Sequence, residues 1–360
     1  MPRIISVGPE GVHEGKTADS LPWYQSLAQG YSVESDACLT GDGQACQTIV
    51  DHLQLFVDLW GLRPAIDRQD PAFEPLAAQA NIALSAMVSA FSTARHFIDI
   101  PPRQEEAITD FLFGRVTIYK RVVRRNEALP DRFRFGHSAA QLSVLPVLTT
   151  GALTGDPRTF YEGLDLYEFA LDNTRVDGSI REDSLTGDMA LMQEAALLSA
   201  MLVAVLRAEQ QDVDLGSITR MGRDIHDLAG TVLDHLEDWD SLKRYASAQR
   251  PSYLNPARET EEASSFYVRD MEHLLAWTVL YAERFPRSPV TERIAALTLD
   301  PRTCGRLAER HGKAPWTCYR ALAALSTEAS VIMPAPGGSL FIGFNPGCFL
   351  ATQPSPFTED

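Results

Sequence analysis

The sequence lacks the features that mark a membrane protein, a nucleotide-binding protein or a serine hydrolase. No run of about 18 apolar residues occurs, so no membrane span is expected. The first residues do not combine a basic start with an apolar core, so no secretory signal is visible. The glycines of Gly41-Asp42-Gly43 follow no strand pattern that would make them a phosphate loop, and no Gly-x-Ser-x-Gly elbow is present.

Cysteine and histidine are too few and too scattered to predict a metal site. The five cysteines form no Cys-x-x-Cys motif and the histidines form no His-Glu-x-x-His motif, so we expect neither a metal nor another cofactor. Two cysteine pairs lie close in sequence, Cys38 with Cys46 and Cys304 with Cys318. Either pair could form a disulfide in an oxidising compartment, and in the cytosol all would be free thiols.

Basic residues are outnumbered, and the formal net charge is −16. This charge argues against nucleic acid or an anionic membrane as partner, because phosphate binding requires concentrated Lys and Arg. The one dense basic stretch runs from Lys120 to Arg125, with Arg134 not far behind. It is either a local basic cleft or a solvated helix face.

What the sequence has in abundance is helical periodicity. Of its 360 residues, 45% are apolar and 22% are charged, which suits a soluble protein with a large core. Apolar residues recur at three- and four-residue spacing between proline and glycine stops. The pattern predicts helices at 44–60, 75–97, 102–125, 138–153, 158–173, 189–211, 215–236, 265–284, 290–297 and 316–326.

Strand alternation is confined to residues 339–344 near the C-terminus. No low-complexity linker divides the chain, so one large helical domain is expected. We predict an N-terminal extension over residues 1–36, the helical domain over 37–330, and a tail over 331–360 that packs on it.

Five short features follow one another in a fixed order over residues 37–297. They are Ala37-Cys38 before a helix ending in Leu59-Trp60, the pair His137-Ser138, the turn Asp177-Gly178, the apolar helix 190–206, and Asp270-Met271-Glu272-His273. This order resembles the alginate lyase family, helical polysaccharide lyases that cut uronic-acid polymers by β-elimination. The resemblance implies an all-α, single-domain, incomplete α/α toroid with a polysaccharide or oligosaccharide substrate. It also implies a periplasmic or extracellular location, with the cytoplasm as the alternative.

The chain departs from the family at positions that carry the chemistry. β-Elimination removes a weakly acidic C5 proton, so a cation or amide must neutralise the neighbouring carboxylate while a base and an acid move protons. Where the family has an asparagine, an arginine and a tyrosine, this chain has Gly136, Met189 and Gln193.

We therefore predict that the machinery draws on other positions. His137 is the expected base, Arg181 or Arg134 the expected cation, and Tyr253 or Tyr267 the expected acid. Asp183 is a further catalytic candidate. The remaining predicted substrate-binding residues are Glu182, Gln193, Glu194, Glu272 and His273.

Two other functions stay open. A glycoside hydrolase could use two carboxylates among Glu182, Asp183, Asp188 and Glu194 if they lie roughly 5–9.5 Å apart across the bond. The same acidic residues would also be favoured at a helix N-terminus by the helix dipole alone, and His137 could be satisfied by backbone partners. A protein that binds glycan without cleaving it is the other alternative.

Overall fold

The computed structural model of the protein describes residues 17–59, 73–127, 144–180, 190–237 and 271–299. Within these stretches ten helices are joined by turns, and the only β-pairing is two isolated bridges. The helices are α1 Thr17–Leu39, α2 Gly43–Leu59, α3 Phe73–Phe97, α4 Pro102–Glu127, α5 Val144–Thr154, α6 Pro157–Asp172, α7 Ala190–Glu209, α8 Ile225–Glu237, α9 Met271–Arg284 and α10 Pro289–Leu299.

The odd-numbered helices form one continuous layer. Along the chain α1 packs on α3, α3 on α5, α5 on α7, and α7 on α9. In α3 every side chain from Ala83 to Ala94 is buried, and in α7 the same holds from Glu194 to Val205. A helix that is buried on all sides must have neighbours all round, which places this layer inside.

The even-numbered helices form a second layer on the outside. Each packs against the inner layer, and α2 also contacts α4 while α8 contacts α10. In α8 buried and exposed positions alternate with helical spacing, as expected of a helix with one face in solvent. Two layers of paired helices make this an α/α toroid, which confirms the predicted all-α class. The predicted strand at 339–344 lies outside the described residues.

Tight packing of α5 on α6 depends on two glycines. A β-carbon at Gly163 would lie 2.7 Å from Cα of Leu148, and one at Gly151 would overlap the backbone of Phe160. Two residues between these helices form the turn that joins them. Gly155 has φ +65°, and Asp156 caps α6 by accepting a 3.0 Å hydrogen bond from the Thr159 amide.

A disulfide joins the end of α1 to the first turns of α2. Cys38 and Cys46 are bonded, with their Cα atoms 4.8 Å apart. This is one of the two pairs that the sequence suggested. Cys304 and Cys318, the other pair, lie outside the described residues.

One helix begins later than predicted, and one helix was not predicted. The helix predicted at 215–236 begins only at Ile225, because Arg220 and Arg223 form a reverse turn and Asp224 then caps the helix. The Asp224 carboxylate accepts hydrogen bonds from the amides of His226 and Asp227 at 2.8 and 3.0 Å.

The other difference is α1, whose sequence gave no helix prediction. The boundary predicted at residue 36 falls near its C-terminal end. The division into extension, domain and tail remains a prediction. None of the described helices combines the length and hydropathy needed to cross a membrane.

Candidate functional site

The turn after α6, predicted from Asp177-Gly178, is held by its own side chains. Asp177 accepts hydrogen bonds from the amide and the hydroxyl of Ser179, at 3.1 and 2.6 Å. Thr174 pairs with Ile180 across the turn. Gly178 has φ +83°, in the region that glycine adopts most easily. The turn is therefore a defined structure on the N-terminal side of residues 181–189.

This turn rests on α8 and on the residues just before it. The Thr231 hydroxyl donates to the backbone carbonyl of Asp177 at 3.3 Å, and Arg223 donates to the carbonyl of Val176. Gly178 lies so close to Thr231 that a β-carbon there would overlap the Thr231 hydroxyl. The absence of a side chain at Gly178 is what allows this contact.

On the other side of residues 181–189, the first turns of α7 carry a buried charged pair. The Glu194 carboxylate has no exposed surface, and its Oε2 lies 2.7 Å from Nδ1 of His235 on α8. The His235 side chain is 5% exposed. Burying a carboxylate is costly unless it is paired and hydrogen-bonded, and the imidazole supplies that pairing.

The charges around His235 favour its protonated form. Burial lowers the pKa of the imidazole, but the hydrogen bond and the charge of Glu194, together with the charges of Asp234 and Asp177, outweigh it, so the pKa is raised above its ordinary value. The pair is therefore an ion pair over a wider pH range than an isolated histidine would allow.

The outer side of α8 is braced by α10. Arg293 donates to Asp234 at 2.6 Å and to Glu237 at 2.8 Å. Burial lowers the pKa of the Arg293 guanidinium, but the hydrogen bonds to these two carboxylates and their charges outweigh it, so the pKa is raised. With His235 on one side and Arg293 on the other, the C-terminal half of α8 is fixed between α7 and α10.

A second polar cluster lies at the opposite end of α8. Nδ1 of His226 is 2.6 Å from the Tyr281 hydroxyl, which is 2.8 Å from the Ser288 hydroxyl. Burial raises the pKa of Tyr281 to about 12, although the hydrogen bond with Ser288 lowers it in part. The His226 ring also packs against Phe285, with ring centroids 4.6 Å apart. The cluster joins α8 to α9 and to the start of α10.

Only some of the predicted site residues lie in the described part of the chain. Glu194 is described in full, while Gln193, Glu272 and His273 lie in helices α7 and α9 but their side chains are outside the described part. The predicted residues at positions outside the described stretches are Arg134, His137, Arg181, Glu182, Asp183, Tyr253 and Tyr267.

His235 was not among the sequence-predicted site residues. It lies on a helix far from Glu194 in sequence, and no local motif joins the two. The available signal was weak: a histidine at a position of α8 that the apolar periodicity marks as buried, which demands a polar partner. Trp277, a typical core residue by its helical context, is fully buried. In the described part of the chain, no group of three or more His, Cys, Asp and Glu side chains is arranged to hold a metal ion.

Comparison with known proteins supports the fold. No protein-family model and no curated protein matches the sequence. Solved structures do match. A His-to-Ala variant of alginate lyase A1-III complexed with a tetrasaccharide is 17% identical with a TM-score of 0.55, over 75% of this chain and 69% of that chain. A Tyr-to-Phe variant complexed with a tetrasaccharide gives 0.54 with the same identity and coverage.

The crystal structure of alginate lyase A1-III from Sphingomonas species A1 gives a TM-score of 0.53 at 17% identity, over 75% of this chain and 70% of that chain. This chain has the fold of an alginate lyase. At this identity the likeness establishes architecture, and activity requires its own argument.

Proposed function

We propose that the protein is a polysaccharide lyase that cleaves a uronic-acid-containing polymer by β-elimination. The observation that carries the proposal is the fold match over three quarters of the chain to alginate lyase A1-III, a protein solved in complex with a tetrasaccharide. The order of short features along the sequence supports the same family independently of the fold.

Two described features flank three of the proposed site residues in sequence. The turn at Asp177-Gly178 and the start of α7 flank Arg181, Glu182 and Asp183 in sequence, and both are fixed on α8. In the proposed reaction His137 takes the C5 proton, the C4–C5 double bond forms as the C4–O4 bond breaks, and Tyr267 gives a proton to O4. Arg181 or Arg134 neutralises the carboxylate, a contribution of roughly 3–4 kcal/mol.

Glu194 fits this scheme as a supporting group. A carboxylate with no exposed surface and a histidine partner is suited to holding α7 in place more than to touching a sugar. The same burial weighs against a glycoside hydrolase that uses Glu194 as one of its two carboxylates.

The experiment is a spectroscopic assay on polymers of mannuronate, guluronate, glucuronate and galacturonate. A lyase produces a C4–C5 double bond, which absorbs in the ultraviolet, whereas a hydrolase releases reducing ends without that absorbance. We expect absorbance with at least one polymer, and its loss by roughly 10²–10⁴-fold in H137A. Flat traces with all four polymers would reject the proposal.

A second candidate function is glycan binding without cleavage. It is favoured by Gln193, which stands where the family has a tyrosine, and by Met189, which stands where the family has an arginine. Calorimetric titration with the same polymers distinguishes the two, because this candidate requires affinity with no product after long incubation.

A further inference from the structure

Helix α8 presents two polar side chains on one face, each directed to a different part of the chain. Thr231 and His235 are four residues apart, so they lie one above the other. Thr231 bonds to the turn at Asp177, and His235 bonds to Glu194 at the start of α7. One face of α8 therefore holds both described stretches that flank residues 181–189.

Stability is a weak explanation for the buried contact between Glu194 and His235. Replacing a buried ion pair with apolar residues of similar volume is often neutral or stabilising. The neighbouring positions of α7 include Leu191, Ala195 and Leu198, which are all fully buried. A buried carboxylate and imidazole are therefore weak evidence for a role in stability alone. A hydrogen bond of defined direction fixes orientation in a way that apolar contact does not.

We propose that His235 is a positioning residue: through Glu194 it sets the first turns of α7 against α8, in register with the turn that Thr231 holds. The proposal rests on the lyase function for its effect on rate, because Gln193 and the residues preceding α7 are predicted site residues. The structural part of the proposal, that the pair orders the turn at Asp177 and the first turns of α7, does not depend on that function.

The test uses the full-length protein and the double variant E194M/H235L, which removes the charges and retains the volume. Hydrogen–deuterium exchange is measured in peptides from 173–180 and from 190–199, with peptides from α1 and α3 as internal reference. We expect the variant to remain helical by circular dichroism, with exchange at least several-fold faster in the two stretches and unchanged in the reference helices.

The effect of the variant on the reaction rate is measured with the polymer that the wild-type protein cleaves. A misplacement of about 1 Å can cost roughly 100-fold in rate, so we expect kcat to fall by one to two orders of magnitude while KM changes little. The variant H235N, whose amide nitrogen can occupy the place of Nδ1, is expected to recover most of the rate and the slow exchange.

The matched control is R284M/E209M, which removes the pair between Arg284 of α9 and Glu209 at the far end of α7. It changes the same helix at its other end and is expected to leave exchange at 173–180 as in the wild type. If E194M/H235L fails to fold, E194L/H235M is measured in its place, since it also removes both polar groups and retains the volume.

Wild-type exchange together with wild-type kcat in a folded E194M/H235L, or in E194L/H235M, would overturn the proposal. Faster exchange in a protein whose wild type cleaves no polymer would reject the lyase function and retain the positioning by His235. Equal exchange with a lower kcat would assign His235 to the chemistry itself and also overturn it.

Discussion

At the scale of single residues, the pair of Glu194 and His235 makes stability depend on pH. The pKa of His235 is raised in the folded protein, so the stabilisation is complete below the ordinary histidine value and is lost as the pH rises through the folded value. Removing one partner of a buried pair costs about 3–5 kcal/mol.

We therefore expect E194Q to lower the free energy of unfolding by about 3 kcal/mol near pH 6 and by clearly less near pH 9. Urea unfolding followed by circular dichroism across this range measures both values. H235N removes the titrating imidazole itself, so its free energy of unfolding should likewise approach that of the wild type as the pH rises. A loss independent of pH would show that the imidazole is neutral throughout.

Gly178 provides the second residue-scale prediction. Its backbone has φ +83° and it contacts Thr231, whereas Gly222 has φ +73° and nothing within 4 Å of where a β-carbon would stand. Both alanine variants cost about 1–2 kcal/mol for the left-handed backbone. G178A additionally overlaps a side chain, which costs about 1–3 kcal/mol more.

Thermal unfolding of G178A and G222A measures this difference directly. The double variant G178A/T231S separates the hydroxyl from the methyl of Thr231, since serine retains only the hydroxyl. Equal midpoints of thermal unfolding for G178A and G222A would mean that Gly178 is not in close contact with Thr231 of α8.

The sequence predicted one half of the buried pair and not the other. Glu194 was predicted as a substrate-binding residue, because it stands at an offset after the Asp-Gly turn where the alginate lyase family has a site residue and because other carboxylates lie near it in sequence. His235 depends on how α7 and α8 pack, and nothing in the residues next to it encodes that packing. Long-range partners are decided by tertiary contact, which a local pattern does not contain.

At the scale of helices, the pairing of α5 and α6 rests on a close backbone approach. A β-carbon at Gly163 would lie 2.7 Å from Cα of Leu148, while Gly114 in α4 has open space around it. We expect G163A to destabilise the protein by about 1–3 kcal/mol through overpacking. G114A, the control, should stabilise it by about 0.5–1 kcal/mol, because alanine loses less backbone entropy in a helix.

Opposite signs in chemical unfolding are the expected result. If both variants stabilise the protein, α5 and α6 are farther apart than this geometry requires. The comparison is informative because both changes add the same methyl group to a helix interior.

Helix prediction succeeded where the buried face is uniformly apolar and failed in α1, where polar residues interrupt that face. The inner helices α3, α5 and α7 are rich in Ala, Val and Leu, so their periodicity is visible in the sequence. In α1 the buried face includes Ser32 and Ser35, and the helix also contains a proline and a glycine. The late start of α8 has a local cause that the sequence does contain, the cap at Asp224 after Gly222.

At the scale of the whole molecule, the net charge of −16 opposes a polyanionic substrate. Salt screens such repulsion, with a Debye length of about 30 Å at 0.01 M and about 8 Å at 0.15 M. We expect kcat/KM on a uronic-acid polymer to rise several-fold between these ionic strengths and kcat to change little.

A polymer of the same sugar with esterified carboxylates is the control, and its cleavage or binding should be insensitive to salt. A fall in kcat/KM with salt for the charged polymer would instead reveal a basic groove that dominates the local field. The stretch from Lys120 to Arg125 would then be the first place to substitute.

The burial of α7 on all sides also has a consequence for synthesis. Its partner α9 begins at Met271, so the apolar helix that ends at Glu209 leaves the ribosome well before the neighbour that covers it. At about 5–20 residues per second the delay is several seconds, during which an apolar surface is exposed. Expression of chains truncated before α9 should therefore give aggregates or chaperone-bound protein. Growth at low temperature should not prevent this, because the helix that covers α7 is missing.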